Sequence, residues 1–312
     1  MGLTNYPFGV SSFGIPLVGS GPILTTGNIF FVSSVSGSNG NDGLSPSRPW
    51  ATVDYAIGRC TANNGDHIIV MPNHAETSTN TAGYWAFDVA GVTCIGLGVY
   101  NQRPRLLLDA GIAATITVSA ADVKIKNIVV ASGTADVTRA INVTGVGCVL
   151  EEIEFTDNVA DENFLTCVDA TGAANTADGL AVINCRWVSA DALSGPFVTI
   201  ANNIVNLQID SNLIVHEGVT CPIFSQAGTT TMLRSRVTWN YLSGKGANAT
   251  DLAFDNGGTG NSGVIAHNRV GHADVTSAHV LGAVAGMRFF DNLSVSTDAL
   301  SGFVLPAIDV DL

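Results

Sequence analysis

Five asparagines recur at a nearly fixed interval through the second half of this 312-residue chain. They are Asn184, Asn212, Asn240, Asn268 and Asn292, separated by 28, 28, 28 and 24 residues. Each sits in a short apolar stretch: AVINCRW, QIDSNLIV, VTWNYLS, IAHNRVG and FFDNLSV. Asn127 in VKIKNIVV lies 57 residues before Asn184, about two periods, and Glu152 in VLEEIEF holds the matching place between them. A unit of this length cannot bury an apolar face by itself, so it must stack on copies of itself.

A second strand-like run precedes most of these by about twenty residues or fewer: AFDVAG, TITVSA, INVTGV, FVTIAN, PIFSQA, LAFDN and VLGAVAG. Two or three short strands per period, Gly/Asn turns and almost no helical periodicity predict an all-β fold, a right-handed parallel β-helix of about eight coils with roughly 24–32 residues each. At about 4.8 Å per coil the stack would be a rod about 40 Å long. Composition agrees: 34 glycines and only 12% charged residues suit strands and turns. The recurrent Asn fits two structural roles, an internal ladder of stacked carboxamides or a turn former.

The segment before the first coil reads as strand (NIFFVSS), Gly/Asn/Pro loop (GSNGNDGLSPSRPW), helix (ATVDYAIGRC, with Val53, Ala56 and Ile57 on one face) and strand (GDHIIVMP). Thr52 or Ser47 would start the helix. This arrangement resembles the N-terminal portion of pectate-lyase-like β-helix proteins, over residues 28–73, and the resemblance implies that the helix covers the open end of the first coil. The chain departs from that pattern at Asn73 and Asn73's neighbour His74, where a Gly and a Tyr leading to Glu are common. The expected organisation is an extended N-terminal arm over 1–26, the leading strand, loop and capping helix over 27–76, and the β-helix over 77–312, with the apolar FVLPAI as its last coil.

A formal charge of −13 disfavours nucleic acid and anionic lipid as partners, and no apolar run is long enough to span a membrane. The arm lacks the basic and apolar regions of a secretory signal. Its Tyr6, Phe8, Phe13, Ile15 and Leu17 fit either a tail in solvent or an extension docked on a neighbouring subunit. Six cysteines, at 60, 94, 148, 167, 185 and 221, show no metal-ligand spacing and read as buried free thiols. No metal and no cofactor are expected; His267, His272 and His279, five and seven apart, match no zinc pattern.

If the chain is an enzyme, a polysaccharide lyase or glycoside hydrolase, its candidate carboxylates are Glu152, Glu154, Asp157 and Glu217. Strand alternation through VLEEIEF would put Glu152 and Glu154 on one face and Glu151 on the other. His216 with Glu217 could form an acid/base pair, and Asp161, Glu162, Asp251 and Asp255 add further acids. Arg236 and Arg269 fall near the Asn column. Trp187 and Trp239, two coils apart, are the candidate glycan platform.

The start MGLTNYPFGVSSFGIPLVGSG resembles the N-termini of virion structural proteins of marine tailed phages. Together with the acidic, glycine-rich rod, the apolar arm and the lack of a compelling catalytic set, that resemblance suggests a phage structural protein, read first as a homotrimeric capsid decoration (cement) protein on the virion surface, synthesised in the host cytoplasm and anchored by its arm to the major capsid protein or another virion protein. The alternatives are a tail spike or depolymerase acting on a host surface polysaccharide, and a glycan-binding fibre without turnover.

Overall fold

The computed structural model describes residues 25–79, 83–157, 159, 161–217, 230–244, 260–272 and 286–296, with backbone alone for a few of these and for short strands at 10–12, 15–18, 21–22, 224–226, 254–256 and 303–304. Three long parallel sheets wrap one core, beside a two-stranded parallel pair, Ile204–Val205 with Met232–Leu233. Sheet 1 stacks ten strands from Ile29–Val32 to Met287–Phe290. Sheet 2 also has ten, from Ala75–Thr77 to Leu293–Ser296 plus Phe303–Val304, and sheet 3 has seven, from Ala86–Phe87 to Phe254–Asn256. The chain visits sheets 3, 1 and 2 in turn, each strand pairing in parallel with its counterpart one coil away. The fold is a parallel β-helix. Among the described residues seven coils carry all three strands, against the roughly eight expected.

Register explains why this sequence winds this way. On sheet 1 the inward side chains Phe30, Ile68, Cys94, Ile125, Leu150, Val182, Ile209, Val237 and Ile265 stand in one column. Sheet 2 aligns Leu106, Val130, Phe155, Trp187, Ile214, Leu242 and Val270. All of these are buried, each worth about 1.5–3 kcal/mol when it is a large apolar side chain. Trp187 therefore fills a core position between Phe155 and Ile214, stacked on Phe197 at 6.3 Å, and is no glycan platform. The strand Val168–Ala170 belongs to sheet 3; its run, TCVDATG, carries a central aspartate that hides the apolar pattern.

The corner from sheet 1 to sheet 2 separates two columns that the sequence merges. From Lys124–Lys126 onward it is two residues long. The first, at Asn127, Glu152, Asn184, Ser211, Trp239, His267 and Asp291, is left-handed, with φ of 58°, 56°, 53°, 58°, 58°, 58° and 53°. The second, at Ile128, Ile153, Cys185, Asn212, Asn240, Asn268 and Asn292, is buried. Asn127 and Asn184 are thus turn formers, one place before the ladder. The ladder is Asn212, Asn240, Asn268 and Asn292.

In it each Oδ1 accepts both the backbone N–H and an Nδ2–H of the Asn one coil earlier, at 3.0 and 2.9 Å for Asn212 to Asn240 and the same for Asn240 to Asn268. The second Nδ2–H goes to a carbonyl, that of Ile209 for Asn240. Every polar group of a buried carboxamide is satisfied, which is the condition for burying it without loss. At the upper end Asn212 Oδ1 receives the Cys185 amide, and the column continues as apolar Cys185, Ile153 and Ile128.

The N-terminal end is closed by the helix Val53–Ile57, whose Val53, Ala56 and Ile57 are buried. Thr52 holds the N-cap position but makes no side-chain cap bond. Glu76, first in the inward column of sheet 2 beside Leu106, supplies the acceptor: its Oε1 takes the Val53 N–H at 2.9 Å and faces His74 Nε2 at 2.6 Å. The Ser34 amide donates to His74 Nδ1, so the proton of neutral His74 lies on Nε2, toward Glu76. In the preceding loop Gly43 has φ 68°, and a Cβ there would stand 2.5 Å from the Trp50 ring, which explains the second glycine of GNDG.

At the other end Phe303–Val304 runs antiparallel to Leu293 and Ser294, so this stretch turns back along sheet 2 instead of adding a coil. The arm strands Val10–Ser12, Ile15–Val18 and Gly21–Pro22 form their own antiparallel sheet. Tyr6, Phe8, Phe13, the side chains of Ile15 and Leu17, Cys221, Asp251, His279 and all but the last residue of the strand-like VLGAVAG lie outside the described residues.

The two Asn columns make opposite predictions. Asn240→Leu strands two buried donors of Asn212 and should cost about 3 kcal/mol or more. Asn184→Gly, in an exposed left-handed turn, should change stability by only a few tenths of a kcal/mol, since Gly has no Cβ to clash in that region. Thermal unfolding followed by circular dichroism distinguishes them; equal losses would contradict the assignment.

Candidate active-site groove

Before this regular series, one corner is much longer than the rest. Between Thr93–Gly96 and Arg105–Leu108 the chain inserts the loop 97–104, with a 3-10 turn at Tyr100–Gln102, φ of 100° at Gly98 and 51° at Tyr100. The loop stands beside the left-handed column and makes one wall of an open groove of about 430 Å³ lined by Gly98, Val99, Tyr100, Arg103, Asn127, Glu152, Ile153, Glu154, Asn184 and Arg186. Tyr100 is 89% exposed at its lip. Asn127 ties the loop down through Nδ2 donating to the Gly96 and Gly98 carbonyls at 2.8 and 3.1 Å.

VLEEIEF is two strands broken by a corner, Val149–Glu151 on sheet 1 and Glu154–Asp157 on sheet 2. The left-handed Glu152 resets the alternation, so Glu151, Glu152 and Glu154 all point outward, and the expected division of faces does not hold. Each carboxylate meets a cation. Glu154 pairs with Arg103 at 2.7 Å and lies 3.7 Å from Arg186. Glu152 lies 3.2 Å from Lys126, which also holds Glu151 at 2.7 Å; Lys124 pairs with Glu151 as well. Partial burial works to raise the Glu151 carboxyl, but the bonds and charges of Lys124 and Lys126 outweigh it and hold the group below the usual range. Burial likewise opposes the charge on Lys126, and Glu151 and Glu152 reverse the balance and push it up. Arg103 also donates to the carbonyls of Glu152 at 2.6 Å and Ile128 at 3.3 Å, fastening the loop to the next two coils.

Glu152 and Glu154 thus come together, and Asp157 and Glu217 do not join them. Asp157 ends its sheet 2 strand, away from the groove, where its Oδ2 accepts the Ala190 amide at 2.6 Å. Burial raises its carboxyl to about 6, against the Ala190 amide and the Trp187 indole, with Asp191 adding to the rise. The Glu217 amide donates to Ser189 Oγ at 3.0 Å, two coils further along the same edge; the His216 side chain lies outside the described residues. Trp239 is 62% exposed and Arg236 and Arg269 are exposed, all below the groove.

The sequence reading missed Tyr100 and Arg103. Their signal is the Gly- and Pro-flanked GLGVYNQRP, which makes this the longest sheet 1 to sheet 2 corner among the described residues.

Cys60, Cys94, Cys148, Cys167 and Cys185 are free thiols, raised by burial, Cys185 to about 12 and Cys148 to about 11. Among the described residues no group of three or more His, Cys, Asp or Glu is placed to hold a metal ion, and no helix is long and apolar enough to cross a membrane.

No protein-family model and no curated protein matches the chain. Solved structures with a similar course include a rhamnogalacturonan lyase (12% identity, TM-score 0.43, covering 85% of this chain and 87% of that one) and the GH136 lacto-N-biosidase from Eubacterium ramulus (11% identity, TM-score 0.41, covering 86% and 67%). Both are carbohydrate-active proteins. The likeness lies in the winding of the chain, and no groove residue is carried over from it.

Asp157 gives a pH test. Its folded value, about 6, lies above the ordinary 3.8, so between these values the folded chain binds more protons than the unfolded one, and this group's contribution to stability falls as pH rises through that window. Asp157→Asn should flatten this part of the stability profile between about pH 4 and 6, measured by chemical unfolding at a series of pH values. An unchanged slope would contradict the assignment.

Proposed function

We propose that the chain is a glycan-binding β-helix that holds its ligand without cleaving it. What supports this reading is the pairing of every groove carboxylate. Glycoside hydrolysis needs two carboxyl groups free to act on the scissile bond, whereas Glu152 and Glu154 are held in ion pairs with Lys126, Arg103 and Arg186. Arg103 is committed to Glu154 and two carbonyls, so it is poorly placed to take a proton in a lyase step. Alternating guanidinium and carboxylate groups beside an exposed tyrosine suit the vicinal hydroxyls of neutral or weakly acidic sugars, which accept from Arg and donate to Glu while one ring face lies on the aromatic.

A second reading concerns where such a protein is carried. The separate three-stranded sheet of the arm, pairing with no β-helix strand among the described residues, favours a docking device, and we propose that it joins three copies to one another or to a virion surface as a decoration protein, with the β-helix projecting. Light scattering should then report a trimer for the full chain and a smaller species for a chain lacking residues 1–26. Unchanged assembly would overturn it.

The groove reading is tested by affinity electrophoresis and reducing-end release on a panel of soluble polysaccharides. The expected result is retarded migration with no fragments, and about tenfold weaker retention for Arg186→Ala, an exposed residue whose loss spares the core. Fragment release would establish turnover and overturn the non-catalytic reading; no retardation on any polysaccharide would overturn glycan binding.

A further inference from the structure

The left-handed column continues past the groove, and its occupants change character. Asparagine, aspartate, histidine and glycine tolerate this conformation best, and a bulky side chain such as tryptophan there is an outlier that only the surrounding structure can sustain. Yet two successive coils place Trp239 and His267 there, both with φ of 58°. Their rings stack at 4.4 Å and 15°. His267 in turn meets the edge of Phe290 at 5.4 Å and lies 3.8 Å from Asp291. The stack is thus braced from below, and Trp239, its uppermost ring, remains 62% exposed.

Because the two rings lie on adjacent coils, their stacking direction follows the rod, and the free face of the indole looks up the column. The residue there is Ser211, small and exposed, and above it Asn184 lines the end of the groove. The backbone bonds Ser211 N–H to Thr238 O and Asn184 N–H to Asp210 O place these residues on successive coils. Two coil steps, about 10 Å, therefore separate Asn184 from Trp239, with Ser211 between them in the column. Such a notch has the depth of one pyranose ring stacked on the indole. Its floor is polar: Ser211 donates to Asp210 at 3.1 Å, and Asp210 also receives the Thr238 hydroxyl. Tyr241, 51% exposed, stands on the sheet 2 side.

We propose that this notch is a second sugar subsite, in which Trp239 stacks the terminal ring of a glycan whose preceding residues occupy the groove at Glu152, Glu154 and Arg186. The inference rests on the glycan-binding reading of that groove and adds the direction of the chain, along the rod, and a minimum length. An apolar CH face on indole with hydroxyls turned to Asp210 and Ser211 is the usual division of a sugar ring between aromatic and polar partners.

The other tryptophans, Trp50, Trp85 and Trp187, are buried, so acrylamide quenching of intrinsic fluorescence reports mainly on Trp239. The full chain is titrated with cello-oligosaccharides and with oligogalacturonides from dimer to heptamer, alongside Trp239→Asn, which suits the left-handed backbone, and Arg186→Ala. The expected result is that long oligosaccharides protect Trp239 from quenching and short ones bind without protecting it, while Trp239→Asn weakens the long ones about tenfold and leaves the short ones unchanged. Binding that depends on Arg186 but leaves Trp239 quenchable at every length overturns the subsite and spares the groove reading. Protection that follows protein concentration without sugar makes the patch a contact between copies and also overturns it. No binding by either series overturns both.

Discussion

Each coil from residue 124 onward passes from sheet 1 to sheet 2 through two residues, the first left-handed and the second pointing into the core, and that backbone constraint arranges the rest of the molecule. It fixes one column of side chains outside the rod and one inside, in step with coil spacing. Inside, the second residue is either apolar or an asparagine that completes a hydrogen-bonded ladder. Outside, the first residue is presented to solvent at about 4.8 Å intervals, a ruled strip on which Asn127, Glu152, Asn184, Ser211, Trp239 and His267 follow one another. The groove and the aromatic notch are both parts of this strip.

The ladder and the apolar column illustrate how a stacked fold tolerates polar residues in its interior. A lone buried asparagine leaves donors or acceptors unmet, at a cost of about 1–3 kcal/mol each. Four in register satisfy one another and the carbonyls beside them. The change from Cys185 to Asn212 is therefore a boundary between two self-consistent solutions, and a carboxamide placed among Ile128 and Ile153 would lack its partners.

At the N-terminal end the same economy of position appears in Glu76. It begins the inward column of sheet 2, under the capping helix, and there it receives the first helical amide, His74 and the Trp85 indole. One carboxylate thereby joins the capping helix to the first coil. The helix is only five residues long, and isolated helices of that length do not persist, so its stability comes from this docking and from the burial of Val53, Ala56 and Ile57.

Periodicity alone determined that this chain is a parallel β-helix. The spacing of 28 residues, the Val and Ile runs and the Gly/Asn turns admit few other ways of burying so much apolar surface, and the leading NIFFVSS to GDHIIVMP segment was legible for the same reason. What periodicity could not resolve was a shift of one residue. Asn127 and Asn184 occupy the turn while Asn212 occupies the ladder, since both sites favour asparagine for different physical reasons, and strand alternation through Glu151–Glu154 failed because a left-handed residue resets it. The candidate site was legible only in part. Glu152 and Glu154 could be named from their strands, but Trp187 and Trp239 look alike in sequence and differ wholly in burial, one turned into the core by alternation and one turned out by its corner. Arg103 joins residues about fifty positions further along the chain, and only the winding of the coils brings its guanidinium to Glu154, because contact in a solenoid follows the coil and not the distance in sequence.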